Sequence, residues 1–224
     1  MSIEKNNTAV AAAPRRRKNP EAKAAFRDEV VAIARQLFAE EGFESVSLRT
    51  IAARAGCSPM TLYVYFPNKL AMLRFIWADI FKAVFAEMEA AMAVQPDAPS
   101  KLRAYGLAWF HYWLTHPENY RVVFMNQDEG TYHAKVDQEG LDQPFFADGE
   151  LAMAHRRQLC SVFEDGMANG EIRKMMAERC VQVFLAQLLG GAHGIITVPE
   201  FNWDPVDELT VDLVEACVRG FRPD

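Results

Sequence analysis

Between Pro59 and Tyr65 the chain gathers Pro59, Met60, Thr61, Tyr63, Val64 and Tyr65 in one short run. Wound as a helix, such a run turns hydroxyls and apolar tips outward, the groups that reach base edges and phosphates of a duplex. Covalent chemistry has no comparable constellation. The five histidines (His111, His116, His133, His155, His193) show no HExxH or other metal-ligand spacing. No GxSxG elbow and no P-loop occurs. The expectation is a binding protein and not an enzyme, with no cofactor and no metal.

Such groups act only if a rigid frame aims them. Ser47 reads as the N-cap of a helix with Leu48, Ile51, Ala52 and Ala55 on one face, ended by Gly56. Ser58 caps the next helix, which opens with Pro59 and runs to about Phe66, where Pro67-Asn68 breaks it. The tight turn Gly56-Cys57-Ser58 joins the two. A longer helix precedes them, with Asn19 as cap and Pro20 at its first position. It carries Phe26, Val30, Ile33, Ala34, Leu37 and Phe38 at spacings of three and four, and Gly42 stops it. Three helices so arranged form a helix-turn-helix unit. Ile51, Ala52, Ala55, Leu62 and Phe66 supply its inner faces, and Ala52, Ala53 and Ala55 the small residues for a close crossing.

Charge is divided to match. The net charge is −6, yet residues 1–75 hold 12 Lys or Arg against 7 Asp or Glu, a balance of +5. The remainder holds 12 against 23, or −11. A cationic front end on an anionic body fits a chain that meets a polyanion at one end.

The rest of the pattern is also helical. Helices are expected from Lys69 to Val94, from a Ser100 cap to Thr115, from Pro117 to Asn126, from Gly149 to Asn169, from Lys174 to Thr197, and from Pro205 to Arg219. Residues 127–147 read as a long loop. The class is all-α, with near nine helices in three parts: a disordered basic tail over 1–18, a helix-turn-helix domain over 19–75 and a helical body over 76–224. Hydrophobic residues make up 50% and charged residues 24%, which excludes wholesale disorder. No window of 18 uncharged apolar residues occurs, so no membrane span is expected. The run Arg15-Arg16-Arg17-Lys18 follows the short apolar stretch instead of preceding it, unlike a signal peptide. Cys57, Cys160, Cys180 and Cys217 are scattered and read as reduced thiols, which suits a cytoplasmic protein.

The run SLRTIAARAGCSPMTLYVYFPNKLAML closely resembles the N-terminal domain of the tetracycline-repressor (TetR-like) transcriptional regulators. The Ala-Gly turn, Thr61-Leu62-Tyr63, Tyr65-Phe66, and the Lys after a short break all fall in register, over about residues 26–75. The resemblance implies the site. Ser47 touches a phosphate, and Arg49 reaches a base edge or phosphate, its fork suiting guanine O6 and N7. Ser58, Pro59 and Met60 open the recognition helix, with Thr61 near a base or phosphate. Tyr63 and Tyr65 give hydroxyls to phosphates, and Lys69 meets backbone phosphate at a helix N-terminus. Tyr65 stands where His is frequent, and Met60 where Gly, Ala or Pro is common, so base preference is this chain's own.

The same resemblance implies a body that pairs two subunits and holds a small-molecule effector. The last two helices carry Val183, Phe184, Leu188, Leu189, Ile195, Ile196, Leu209, Val211, Leu213, Val214 and Val218, with Gly190-Gly191-Ala192 permitting close approach. The homodimer would bind double-stranded operator DNA, most often as a repressor. Pocket candidates are Trp109, Tyr112, Trp113, Phe124, Met125, Phe163, Met167 and His193. One rival reading is a helical small-molecule carrier or enzyme with a vestigial front end, and a second is a non-specific DNA-compacting protein.

Overall fold

The computed structural model describes residues 20–125 and 149–223. The Asn19 cap, the tail over 1–18 and the loop expected over 127–147 lie outside the described residues. Among those described there are nine α-helices, one π-helical turn and no strand. They are α1 (Pro20–Glu41), α2 (Leu48–Arg54), α3 (Pro59–Tyr63), α4 (Lys69–Ala93) and α5 (Ala98–Thr115). Then come α6 (Pro117–Tyr120), a π-helical turn (Arg121–Met125), α7 (Glu150–Ala168), α8 (Ala177–Thr197) and α9 (Val206–Arg219).

The front unit forms for local reasons. The Ser47 hydroxyl accepts from the Thr50 N–H at 3.1 Å, and Ser58 does the same for Thr61 at 3.1 Å. Each satisfies one of the amide donors that a helix start leaves open. Between them Gly56 adopts φ +63°, a left-handed conformation that a side chain would strain. Helix α3 is shorter than its sequence pattern suggests. It stops at Tyr63, and the N–H groups of Tyr65 and Phe66 both donate to the Leu62 carbonyl at 2.9 Å. That tight turn tucks Phe66 beneath α3 ahead of the Asn68 cap, whose Oδ1 accepts from Ala71 at 2.7 Å.

Val30, Ala34, Leu37 and Phe38 of α1 join Ile51, Leu62 and Phe66 in one buried core. Ala52 is buried at the crossing, but Ala53 is exposed and takes no part in it. Helix α4 continues from this unit into the body, where Ile80, Phe81, Val84 and Phe85 are buried and α5 packs along it. Arg35 of α1 bonds Asp79 of α4 at 2.5 Å.

Three boundaries in the body differ from the sequence reading. Asp97, not Ser100, caps α5, accepting from the Ser100 N–H at 2.8 Å. Pro99 therefore lies inside the first turn, where its missing N–H costs nothing. Past Tyr120 the chain widens into the π-helical turn instead of continuing α6. Tyr120 and Phe124 then both face Trp113, at ring separations of 5.6 and 5.2 Å, and the Val122 carbonyl accepts from Trp77 Nε1 at 3.0 Å. Helix α8 begins at Ala177 because residues before it dock on the C-terminus, the Arg173 N–H donating to the Phe221 carbonyl at 2.9 Å.

Helices α5, α8 and α9 approach closely at glycines. A Cβ on Gly106 would meet the Val214 methyls at 2.9 and 3.0 Å, and one on Gly191 would meet Phe110 at 2.9 Å. Gly191 thus serves packing within the protomer, whereas Gly190 faces open space. Phe184, Leu188, Ile195, Val214 and Val218 are likewise buried in their own protomer, so they are not free for a partner chain. Val183, Leu189, Ile196, Leu209, Val211 and Leu213 keep accessible surface. Helix α8 is long and apolar enough to cross a membrane by length and composition alone.

Candidate nucleic-acid interface and effector core

The sequence-expected DNA groups differ in how accessible they are. Arg49, Ser58, Pro59 and Met60 are exposed, Met60 by 74%. Tyr63 is 49% exposed. Leu62 between them is fully buried, so the five-residue α3 is anchored by one side chain and turns the others outward. Ser47 and Thr61 are exposed and half-buried respectively. Each already bonds within its cap, Ser47 Oγ lying 2.9 Å from Thr50 Oγ1 and Ser58 Oγ 2.9 Å from Thr61 Oγ1. Hydroxyls with two lone pairs and a rotatable proton keep capacity for a further partner.

Tyr65 and Lys69 are more committed. The Tyr65 ring is half-buried, 5.4 Å from Phe26 of α1. Lys69 Nζ donates to the Phe43 carbonyl at 2.7 Å and the Glu44 carbonyl at 3.3 Å, and lies 4.1 Å from the Phe43 ring centre. Two of its three N–H donors are used on the loop between α1 and α2, leaving one. Cys57 is half-buried beside the turn, and burial, with Glu29 nearby, pushes its thiol above the ordinary range. That disfavours the reactive thiolate.

The eight pocket candidates do not form one group. Trp109, Tyr112, Trp113 and Phe124 are linked around α5 and the π-helical turn, with Trp109–Trp113 at 5.7 Å and Tyr112–Trp113 at 5.1 Å between ring centres. Met125 follows Phe124 but is half-exposed. Phe163 lies in another cluster, against Phe184 and Phe221. Met167 Sδ accepts from the Met175 N–H at 3.2 Å, in the α7–α8 connection. His193 is exposed on α8, contrary to the buried position its apolar neighbours suggest, with Nδ1 3.1 Å from the Tyr120 hydroxyl.

Sequence reasoning missed the polar centre of the body. His155 on α7 is 4% exposed, stacked on Phe85 with ring centres 3.8 Å apart. Its Nε2 lies 3.0 Å from the Tyr105 hydroxyl and its Nδ1 3.6 Å from Glu89 Oε1. Burial pushes the His155 pKa down, partly offset by Glu89, and pushes the Tyr105 hydroxyl far up. The available signal was periodicity: His155, Leu159, Phe163 and Gly166 occupy one stripe of α7, and Tyr105, Trp109 and Trp113 recur every fourth residue on α5. Among the described residues no group of three or more His, Cys, Asp or Glu is placed to hold a metal ion.

Comparison with known proteins agrees with this geometry. Residues 30–75 match the family model described as bacterial regulatory proteins, tetR family. The HTH-type transcriptional repressor KstR2 of Mycolicibacterium smegmatis is 25% identical over 155 residues, spanning 69% of this chain and 71% of that protein. The fold is shared with a tetR-family regulatory protein from Rhodococcus RHA1, with TM-score 0.67 and 19% identity over 89% of this chain and 98% of that one. It is shared too with the fatty acid degradation regulator FadR from Bacillus halodurans, with TM-score 0.70 and 17% identity over 93% of this chain and 100% of the other. The capped helix-turn-helix lies within the segment that matches the tetR family of bacterial regulatory proteins, and the chain as a whole has the fold of the solved tetR-family protein.

Proposed function

We propose that this regulator binds a near-palindromic operator as a homodimer, represses there, and is released when a small-molecule effector occupies its body. The observation that carries the reading is the presentation of α3. Leu62 and Phe66 are buried while Pro59, Met60 and Tyr63 are exposed and Thr61 is half-buried, and Arg49 of the preceding α2 is exposed too. In that frame α3 enters a major groove. Arg49 reads a base edge or grips a phosphate, Met60 meets a thymine methyl, and Thr61 contacts a base or phosphate. Ser47, Ser58, Tyr63, Tyr65 and the remaining donor of Lys69 hold the flanking backbone.

Pairing uses what α8 and α9 leave uncovered. The partly accessible Val183, Leu189, Ile196, Leu209, Val211 and Leu213, with Gly190 open beside them, make a self-complementary apolar face for a two-fold partner. Two recognition helices about 34 Å apart then meet successive major grooves. An effector that binds the body better when the front units are splayed shifts the population away from the DNA-competent spacing. The site of action is the cytoplasm.

The test is selection of bound fragments from the source genome, followed by fluorescence anisotropy against the selected and random duplexes. The selected site should bind at least about 10³-fold more tightly than random DNA, with affinity falling steeply in salt. A ratio near one, or one protomer per selected site by sedimentation, overturns the reading.

A further inference from the structure

A helix advances about 100° per residue, so positions four apart share a face. Leu62 and Phe66 are such a pair, 0% and 3% exposed, and they fix the inner face of α3. Met60 and Val64 are another, about 160° around the axis from the first. They are 74% and 76% exposed. Val64 follows the last residue of α3 but keeps a helical backbone, with φ −68° and ψ −27°, and its N–H donates to the Thr61 carbonyl at 3.3 Å. The flanks are more covered: Tyr63 is 49% exposed, and Thr61 and Tyr65 are half-buried. The crest of the helix is therefore apolar, with hydroxyls to either side.

That order limits what the crest can read. Val64 has no hydrogen-bonding side-chain group, and Met60 has only a weakly accepting thioether. On the base edges of a major groove the thymine C5-methyl is the apolar group. The others are donors and acceptors, which lose hydration against Met or Val and gain no partner. Residues four apart on a helix set their Cβ atoms about 5–6 Å apart. Stacked bases rise about 3.4 Å and turn about a tenth of a circle per step, which brings the methyls of two thymines in a row to a similar spacing. Charge selects duplex DNA as the occupant: residues 1–75 hold 12 Lys or Arg against 7 Asp or Glu, and α3 lies within the matched residues 30–75.

Resting on the reading that α3 enters a major groove, we propose that Met60 and Val64 together read the C5-methyl groups of two neighbouring thymines on one strand. Val64 is then a specificity-determining residue, and the pair recognises its bases by apolar contact without hydrogen bonds.

The test uses the full chain and a duplex selected from a randomised synthetic library. Each thymine of one half-site is replaced in turn by deoxyuridine, which removes the methyl and keeps the base pair. Anisotropy should show a step of two thymines at which either replacement weakens binding about fourfold, the worth of one buried methyl-sized group. Met60→Ala should abolish the penalty at one thymine and Val64→Ala at the other, with the salt slope unchanged because no phosphate contact is touched. Both side chains are exposed, so neither variant opens the core, and the uridine series on the unaltered chain stands without them. At either position 5-methylcytosine should bind more tightly than cytosine. A selected site without paired thymines, or uridine tolerated throughout, overturns the proposal. So does a uridine penalty that persists in both variants, which assigns the effect to duplex shape. In each of these cases a specific site still stands, and the reading of α3 with it. Failure to enrich any specific site overturns both.

Discussion

The ammonium of Lys69 lies 4.1 Å from the centre of the Phe43 ring and donates to the Phe43 carbonyl at 2.7 Å, tying the first turn of α4 to the loop that leads into α2. The same side chain was expected from sequence at a phosphate. One cation can serve both, because only two of its three donors are spent on the loop. Lys69→Met should then do two things. It should lower stability by about 1–2 kcal/mol in urea denaturation through the lost hydrogen bonds. It should also weaken every DNA sequence alike and reduce the salt slope by about 1. Weakened binding with an unchanged slope would leave Lys69 a staple only.

Arg49 is exposed on α2 and forms no ion pair among the described residues, so its fork is available to DNA. Arg49→Ala should cost about 1–3 kcal/mol of operator affinity and relax a single base position. Anisotropy against single-base operator variants reads this directly. A uniform loss across variants would move Arg49 to a phosphate.

Gly106 and Gly190 make opposite demands. Gly106→Ala drives a methyl into Val214 and should destabilise the protomer by about 1–3 kcal/mol. Gly190→Ala meets nothing within the protomer and removes helical backbone freedom, so it should stabilise α8 by about 0.5–1 kcal/mol. Thermal unfolding of both, with sedimentation of the second, checks this. Weaker self-association in Gly190→Ala would place that face against a partner chain.

His155 carries a pH dependence. Its folded pKa lies below the ordinary 6.5, with burial the larger cause and Glu89 opposing. The unfolded chain therefore binds the proton more readily than the folded one. Stability from this group is complete above 6.5 and is lost as pH falls from there toward the folded value. Melting temperatures between pH 8 and pH 5 should decline in the acid half, and His155→Phe should flatten that decline.

The front unit was legible because its determinants are local. Ser47, Gly56 and Ser58 cap and turn within a few residues, and Leu62 and Phe66 read as core from spacing alone. The body was less so. Apolar periodicity marks a buried face without saying which chain buries it, so Phe184 and Leu188 read as interface when their own protomer covers them. Histidine placement shows the same gap. His193, set among Gly, Ala and Ile, lies outside, and His155, set among Ala and Arg, lies within. The register of each helix against its neighbours decides that, and no short window of sequence contains it. The π-helical turn was equally invisible, since Trp113 and Trp77, which fit it, lie far from it along the chain.

Helix α4 runs unbroken through 25 residues, from the Asn68 cap at the helix-turn-helix to the far end of the body. At 1.5 Å per residue it is a rod of about 37 Å, so a tilt of only about 5° at one end carries the other through about 3 Å. A displacement that size is comparable to the reach of a hydrogen bond. On the proposed reading, a rearrangement of that size around Phe81 and Phe85 would carry α3 into or out of register with a groove.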